Sequence, residues 1–176
     1  MIGIWQRASP EKRIVGIGVV AFFLDQLTKF VVVATLPLNE RHNVFDGFFS
    51  FVHWGNTGSA MSMFHDNNAA LAVVAVAALA ALWWGRRHFE SDRAPGQIAL
   101  GLLFGGIAGN LADRLIPQRH HVVDFLYFYL QPRGSGSAEA YFPAFNVADI
   151  AICTGVGLLL LFTWNTAPAP SEKPSE

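Results

Sequence analysis

Two carboxylates carry the chemistry that this 176-residue chain can offer. Asp124 stands in Val122-Val123-Asp124-Phe125, and Asp149 closes Phe145-Asn146-Val147-Ala148-Asp149. Two neighbouring carboxyl groups cannot both ionise easily, so one keeps its proton. The ionised member then takes a proton from water while the protonated member polarises a carbonyl. Such a pair suits peptide-bond hydrolysis without a metal. Each aspartate also has a plainer reading. Asn146 as N-cap with Asp149 at the third helical position resembles a capping box. Negative charge is also favoured at a helix N-terminus. Capping and catalysis are compatible, because a capped helix end holds a carboxylate rigidly. For Asp124 the plain reading is a solvated loop residue.

A second group lies where hydrocarbon should reject it. Asp25 and Lys29 interrupt one apolar run, and Asp113 and Arg114 another. A charge at mid-bilayer costs about 2.5–3.5 kcal/mol, so four facing lipid would cost roughly 10–14 kcal/mol. They are expected to face the bundle, or to sit near the outer interface where Lys29 and Arg114 can snorkel. Asp25, Thr28 and Lys29 share a helix face, as do Asn110, Asp113 and Arg114. Gly101, Gly105 and Gly109 extend the second stripe and permit close helix approach. The alternative is that the stripe only packs and the charges only pair.

The elements that must position these residues follow from composition. The chain is 52% hydrophobic and 14% charged, against about 25% charged in a soluble domain. A net charge of −1 and the lack of a basic patch argue against nucleic acid as a partner. A membrane span needs about 20 mainly apolar residues. Four runs meet or approach this, at about 14–36, 69–85, 98–116 and 147–164. They form one membrane-embedded domain over 1–164, with outward segments 37–68 and 117–146. Residues 165–176 are expected to be a disordered cytoplasmic tail. The first run is too long and too charged for a cleavable signal peptide. Seven Lys or Arg residues flank the spans on the side of the termini, against three on the other. Both termini are therefore expected in the cytoplasm.

Phe45 to Trp54 is aromatic and β-branched and reads as short strands. Val122 to Leu130 also looks extended, and a Gly/Ser-rich turn follows it. Together they are expected to form a small sheet on the outer membrane surface. Cys153 lies in an apolar run and reads as a small hydrophobe. His120 and His121 adjoin Asp124, but neighbours on a strand point to opposite faces. No histidine pair has helical metal-ligand spacing, so no metal or cofactor is expected. Asn56-Thr57-Gly58-Ser59-Ala60 by itself is a turn.

Taken together, five blocks resemble the lipoprotein signal peptidase (signal peptidase II) family. They are Asp25-Gln26-Leu27-Thr28-Lys29, Asn56 to Ala60, Gly105 to Arg114, Val123-Asp124-Phe125 and Phe145 to Asp149. Each is weak alone, but five in order on four spans are specific. The resemblance implies an α-helical membrane protein of four transmembrane helices, with a small extracytoplasmic β-cradle and a short loop helix. It implies an inner-membrane aspartic endopeptidase that cuts prolipoproteins before a diacylglyceryl-modified cysteine. Asp124 and Asp149 would be catalytic. Asn56, Gly58, Asn110, Arg114, Asn146 and Ala148 would line the site or bind substrate, and Asp25 and Lys29 would support it. Lipid-modified prolipoproteins and membrane phospholipid are the implied partners, and a monomer is expected. Ser59 and Met61 depart from the commoner Ala and Phe, and the segment around 132–140 is long for the family.

Two rivals use the same residues differently. A small transporter or proton channel needs a polar file across the full bilayer, yet the second run has no ionisable residue. A non-catalytic assembly protein would use the glycine stripe as a subunit interface and tolerate Asp124→Asn and Asp149→Asn.

Overall fold

The computed structural model describes residues 8–58, 67–89, 91–117, 119, 121–130 and 140–165. Helix α1 (Pro10–Thr35) begins four residues before the expected span. Ser9 caps it, its hydroxyl accepting from the Lys12 N–H at 3.4 Å, and Pro10 occupies the first turn. Proline is well placed there because its missing N–H would be unpaired anyway. The helix stops at Leu36, whose backbone is extended. Pro37 follows, and the residue before a proline is pushed out of helical conformation.

Helix α2 (Asn68–Gly85) is capped by the Asn67 side chain and runs into a 3₁₀ turn, Arg86–Phe89. Helix α3 (Ala94–Leu115) starts earlier than expected because Pro95 opens it. Helix α4 spans Val147–Asn165, so Asn165 belongs to the helix and not to the tail. The other expected tail residues, 166–176, lie outside the described residues. Helices α1, α2 and α3 are each long and apolar enough to cross a membrane, and α4 is apolar over Val147–Phe162.

Helix α3 is the axis of the bundle, packing against each of the other three. The expected close approach along Gly101, Gly105 and Gly109 is present. A Cβ at Gly101 would lie 2.6 Å from Ile17 Cβ, and one at Gly105 would lie 2.5 Å from the Gly18 carbonyl. Gly106 faces α4 instead, where a Cβ would meet the Ala148 carbonyl at 2.6 Å. Small residues let polar side chains on facing helices meet without a layer of Leu or Phe between them. Helix α2 differs, since none of its residues is buried.

Both outward segments form strands, and they pair with each other. β1 (Arg41–Phe45), β2 (Phe49–Asn56), β3 (Val122–Leu130) and β4 (Ala140–Tyr141) make an antiparallel sheet in that order. The β1–β2 turn contains Gly47 at φ 79°, a conformation that suits glycine. One irregularity decides which side chains meet. Phe51 pairs with Leu126 and Trp54 pairs with Asp124, so β2 carries one extra residue between them. A one-residue shift moves all later side chains to the opposite face. Through this bulge Asn56 pairs with Val122 and shares a face with Asp124.

The sheet is fastened to the bundle by Val123 and Phe125, which pack with Val32 of α1. The implied short loop helix is not found among the described residues of 37–58 and 121–146. Ser59, Met61, His120 and residues 131–139 of the Gly/Ser-rich turn expected over 131–140 lie outside the described residues, and Ala140 belongs to β4.

Candidate active site

Asp124 is on β3, 4% exposed, so it is not a solvated loop residue. Its two carboxyl oxygens accept from amides on different elements. Asn146 Nδ2 donates to Oδ1 at 2.7 Å, and Asn56 Nδ2 donates to Oδ2 at 2.9 Å. Burial pushes the Asp124 pKa up to about 7, reinforced by the Asp149 charge and opposed by the Asn56 and Asn146 hydrogen bonds. Loss of hydration, with the Asp149 charge, outweighs the two amide donors here.

Asp149 sits in the first turn of α4. The capping box is present: the Asp149 N–H donates to Asn146 Oδ1 at 3.0 Å, and the Asn146 N–H donates to Asp149 Oδ2 at 3.1 Å. The other oxygen accepts from Asn110 Nδ2 on α3 at 2.9 Å. Asn146 therefore bridges the two aspartates, side chain to one and backbone to the other. It is itself fully buried. Its Nδ2 also lies 3.2 Å from Asn110 Oδ1 and 3.3 Å from the Val123 carbonyl. The capping reading of Asp149 is realised at this helix end.

Behind this pair lies a buried ionic cluster. Lys29 Nζ is 2.8 Å from Asp25 Oδ2, 3.0 Å from Asp113 Oδ2 and 2.9 Å from Asn110 Oδ1. Lys29, Asp25 and Asp113 are fully buried, so Lys29 does not snorkel. A lysine with two carboxylates and an amide oxygen has no need of water. Each carboxylate also fastens one element of the site. Asp25 Oδ1 accepts the Ala148 N–H at 2.9 Å, which fixes the start of α4. Asp113 Oδ2 accepts the Val123 N–H at 3.2 Å, which fixes β3 one residue before Asp124. Gly109 is needed here, since a Cβ would lie 2.5 Å from Asp25 Oδ2.

Sequence reasoning missed two members of the cluster. Gln26 Nε2 reaches Asp25 Oδ2 and the Gly109 carbonyl, both at 3.1 Å. Arg119, counted only as a loop cation, binds Asp113 Oδ1 at 3.1 Å. Arg114 thus leaves Asp113 to Lys29 and Arg119. It donates to the Asn110 carbonyl at 3.0 Å and towards the Gly58 carbonyl at 3.5 Å. Gly58 in turn donates its N–H to Asn56 Oδ1 at 3.0 Å, orienting the amide that holds Asp124. Among the described residues, Arg114 Nε and Asn68 Oδ1 are buried side-chain atoms with no hydrogen-bond partner.

His121 borders this network through the Arg119 backbone. Its ring lies against Gly55, where a Cβ would come within 2.7 Å, and burial pushes its pKa down.

A sequence profile of the family described as signal peptidase (SPase) II matches residues 17–165. The chain belongs to the signal peptidase II family. Among its relatives, the lipoprotein signal peptidase of Symbiobacterium thermophilum is 39% identical over 145 residues, spanning 82% of this chain and 90% of that one. That of Aeromonas hydrophila is 39% identical over 150 residues, spanning 82% and 84%. A bacterial membrane enzyme solved by the in meso method at 2.3 Å superposes with a TM-score of 0.72 at 26% identity, covering 93% of this chain and 94% of that one. This signal peptidase II chain is thus an aspartic peptidase, with helices suited to a membrane.

Proposed function

We propose that Asp124 and Asp149 are the catalytic pair, and that they hydrolyse the peptide bond before a lipid-modified cysteine in prolipoproteins. The observation that carries this reading is the bridge at Asn146. It brings a carboxyl group from the sheet and one from a helix end together, with amide donors around them. The raised pKa of Asp124, caused first by burial, suits it to hold the shared proton near neutral pH.

Water attacks the scissile carbonyl as Asp149 takes its proton. Asp124 gives its proton to the carbonyl oxygen, forming a neutral gem-diol. Collapse of the diol returns one proton to Asp124, while Asp149 passes its proton to the departing amine. The new carboxyl and amino ends leave, and the pair regains its starting state. Arg114, whose Nη1 donates to the Asn110 carbonyl and whose Nε has no partner among the described residues, is the donor we assign to the substrate backbone.

Position supports the same reading. Asp124, Asp149 and Asn110 lie at the end of the bundle that carries the sheet. With the termini in the cytoplasm, that end meets the outer leaflet. A lipid-anchored substrate held at this depth meets the aspartates with a reduced entropic cost. The test is cleavage of a lipidated prolipoprotein by purified enzyme, followed by gel shift. Wild type is expected to cleave in the presence of a chelator. Full cleavage by Asp124→Asn or Asp149→Asn protein would exclude the pair.

A further inference from the structure

Helices α1 and α2 each pack on α3 rather than on each other. Between them lies a groove of about 400 Å³, within the range of small-ligand sites. Its walls are Val15, Val19 and Phe22 of α1 and Leu79 and Trp83 of α2, with Phe104 of α3 as floor. The lining is almost wholly apolar, and the groove opens sideways to whatever surrounds the bundle.

Its N-terminal end is cationic. Lys12, Val15 and Val19 are spaced three and four apart, so Lys12 continues the α1 wall. Trp83 continues into the Arg86–Phe89 turn, where Arg86 donates to the Trp83 carbonyl at 2.7 Å and its guanidinium stands 4.4 Å over the Trp83 ring. Glu11 of α1 lies within electrostatic reach of Arg86 and Arg87, which brings the two cationic segments to the same end of the groove. Among the described residues at this end of the bundle, Lys12, Arg13, Arg86, Arg87 and Arg93 outnumber Glu11 and Asp92. A tryptophan with arginine beside it marks headgroup depth, with the apolar groove running inward from it. Basic pockets between membrane helices favour anionic lipid headgroups.

A second groove of about 430 Å³ lies between α1 and α4. The cation that could serve it, Arg13, is turned to Gln97 Oε1 at 3.4 Å. The contrast separates the two grooves by charge, not by size.

We propose that the groove between α1, α2 and α3 binds an acyl chain of an anionic phospholipid, with its phosphate held by Lys12, Arg86 and Arg87. The proposal rests on the membrane-spanning reading but not on the peptidase mechanism. Arg86 also supports the end of α2, so Lys12 and Arg87 are the cleaner substitutions.

The experiment is native mass spectrometry of the full-length enzyme released from detergent containing equal phosphatidylglycerol and phosphatidylcholine. Wild type is expected to retain one phosphatidylglycerol in preference to phosphatidylcholine. Lys12→Gln and Arg87→Gln should each weaken that retention about fivefold, equivalent to about 1 kcal/mol per charge. Val19→Trp, which fills the groove from its exposed side, should reduce retention of both lipids. Equal retention of the two lipids by wild type overturns the proposal, as does unchanged retention in all three variants. A rise in KM for prolipoprotein in Val19→Trp, with lipid retention unchanged, assigns the groove to the signal helix instead and also overturns it. Prolipoprotein cleavage by the same samples reports separately on the peptidase reading.

Discussion

The molecule contains two carboxylate pairs side by side, and they are treated oppositely. Asp25 and Asp113 close on a buried lysine, with Arg119 on the outer flank of Asp113. Asp124 and Asp149 receive hydrogen bonds from Asn56, Asn110 and Asn146. An ammonium group gives two carboxylates a shared ion-pair partner. An amide satisfies the same lone pairs without supplying a full charge, so burial is free to raise the pKa of Asp124. The first pair is suited to holding elements in place, and the second to exchanging protons. Asn110 joins them, its oxygen on Lys29 and its nitrogen on Asp149.

The comparison is broken most directly at the second pair. Asp124→Asn and Asp149→Asn should each lower kcat by about 10²–10⁴-fold, the usual weight of positioned acid–base catalysis. Thermal melts of the purified variants should show a loss of about 1–3 kcal/mol, because the new amide nitrogen faces a donor where each carboxylate accepted on both oxygens. The first pair should respond the other way. Lys29→Met leaves two buried carboxylates with their main cation removed, which costs about 3–5 kcal/mol. A melt or denaturant titration in detergent should show that loss, and unchanged stability would refute the structural role.

A smaller effect is expected from Gly109→Ala, where the new Cβ meets Asp25 Oδ2. Overpacking of this kind costs about 1–3 kcal/mol. The same melts should place it between wild type and Lys29→Met. The smallest effect is a shift in pH dependence. Catalysis by protonated Asp124 is present below its pKa and lost as pH rises through about 7. Asn56→Leu removes a donor that favours the ionised form, so Asp124 should hold its proton to higher pH. The alkaline limb of kcat/KM should therefore move up. A limb that moves down, or stays fixed, would separate it from Asp124.

Much of this arrangement was legible in the residues themselves. Apolar run length placed the helices to within a few residues, because a bilayer sets a length that composition must meet. The glycine spacing announced a close helix contact on α3 without naming α1 as the partner, and Asn146 with Asp149 announced the cap. The fate of Lys29 was not legible. Its three partners come from two helices, and only packing decides between burial and the interface. Gln26 and Arg119 were missed for a similar reason, since neither has a local pattern that points to Asp25 or Asp113. The pairing of β2 with β3 joins segments more than 60 residues apart, and alternation around Ser50 and His53 gave no sign of the bulge between Phe51 and Trp54.

That bulge has a consequence for which changes of length the enzyme can survive. Side-chain direction along β2 depends on whether the residue count from Phe51 to Asn56 is odd or even. Deleting one residue within that stretch would turn Asn56 away from Asp124 while leaving every active-site side chain in the sequence. Deleting two would restore its direction but move it along the strand. Parity, more than the identity of the residues between them, ties this asparagine to its aspartate.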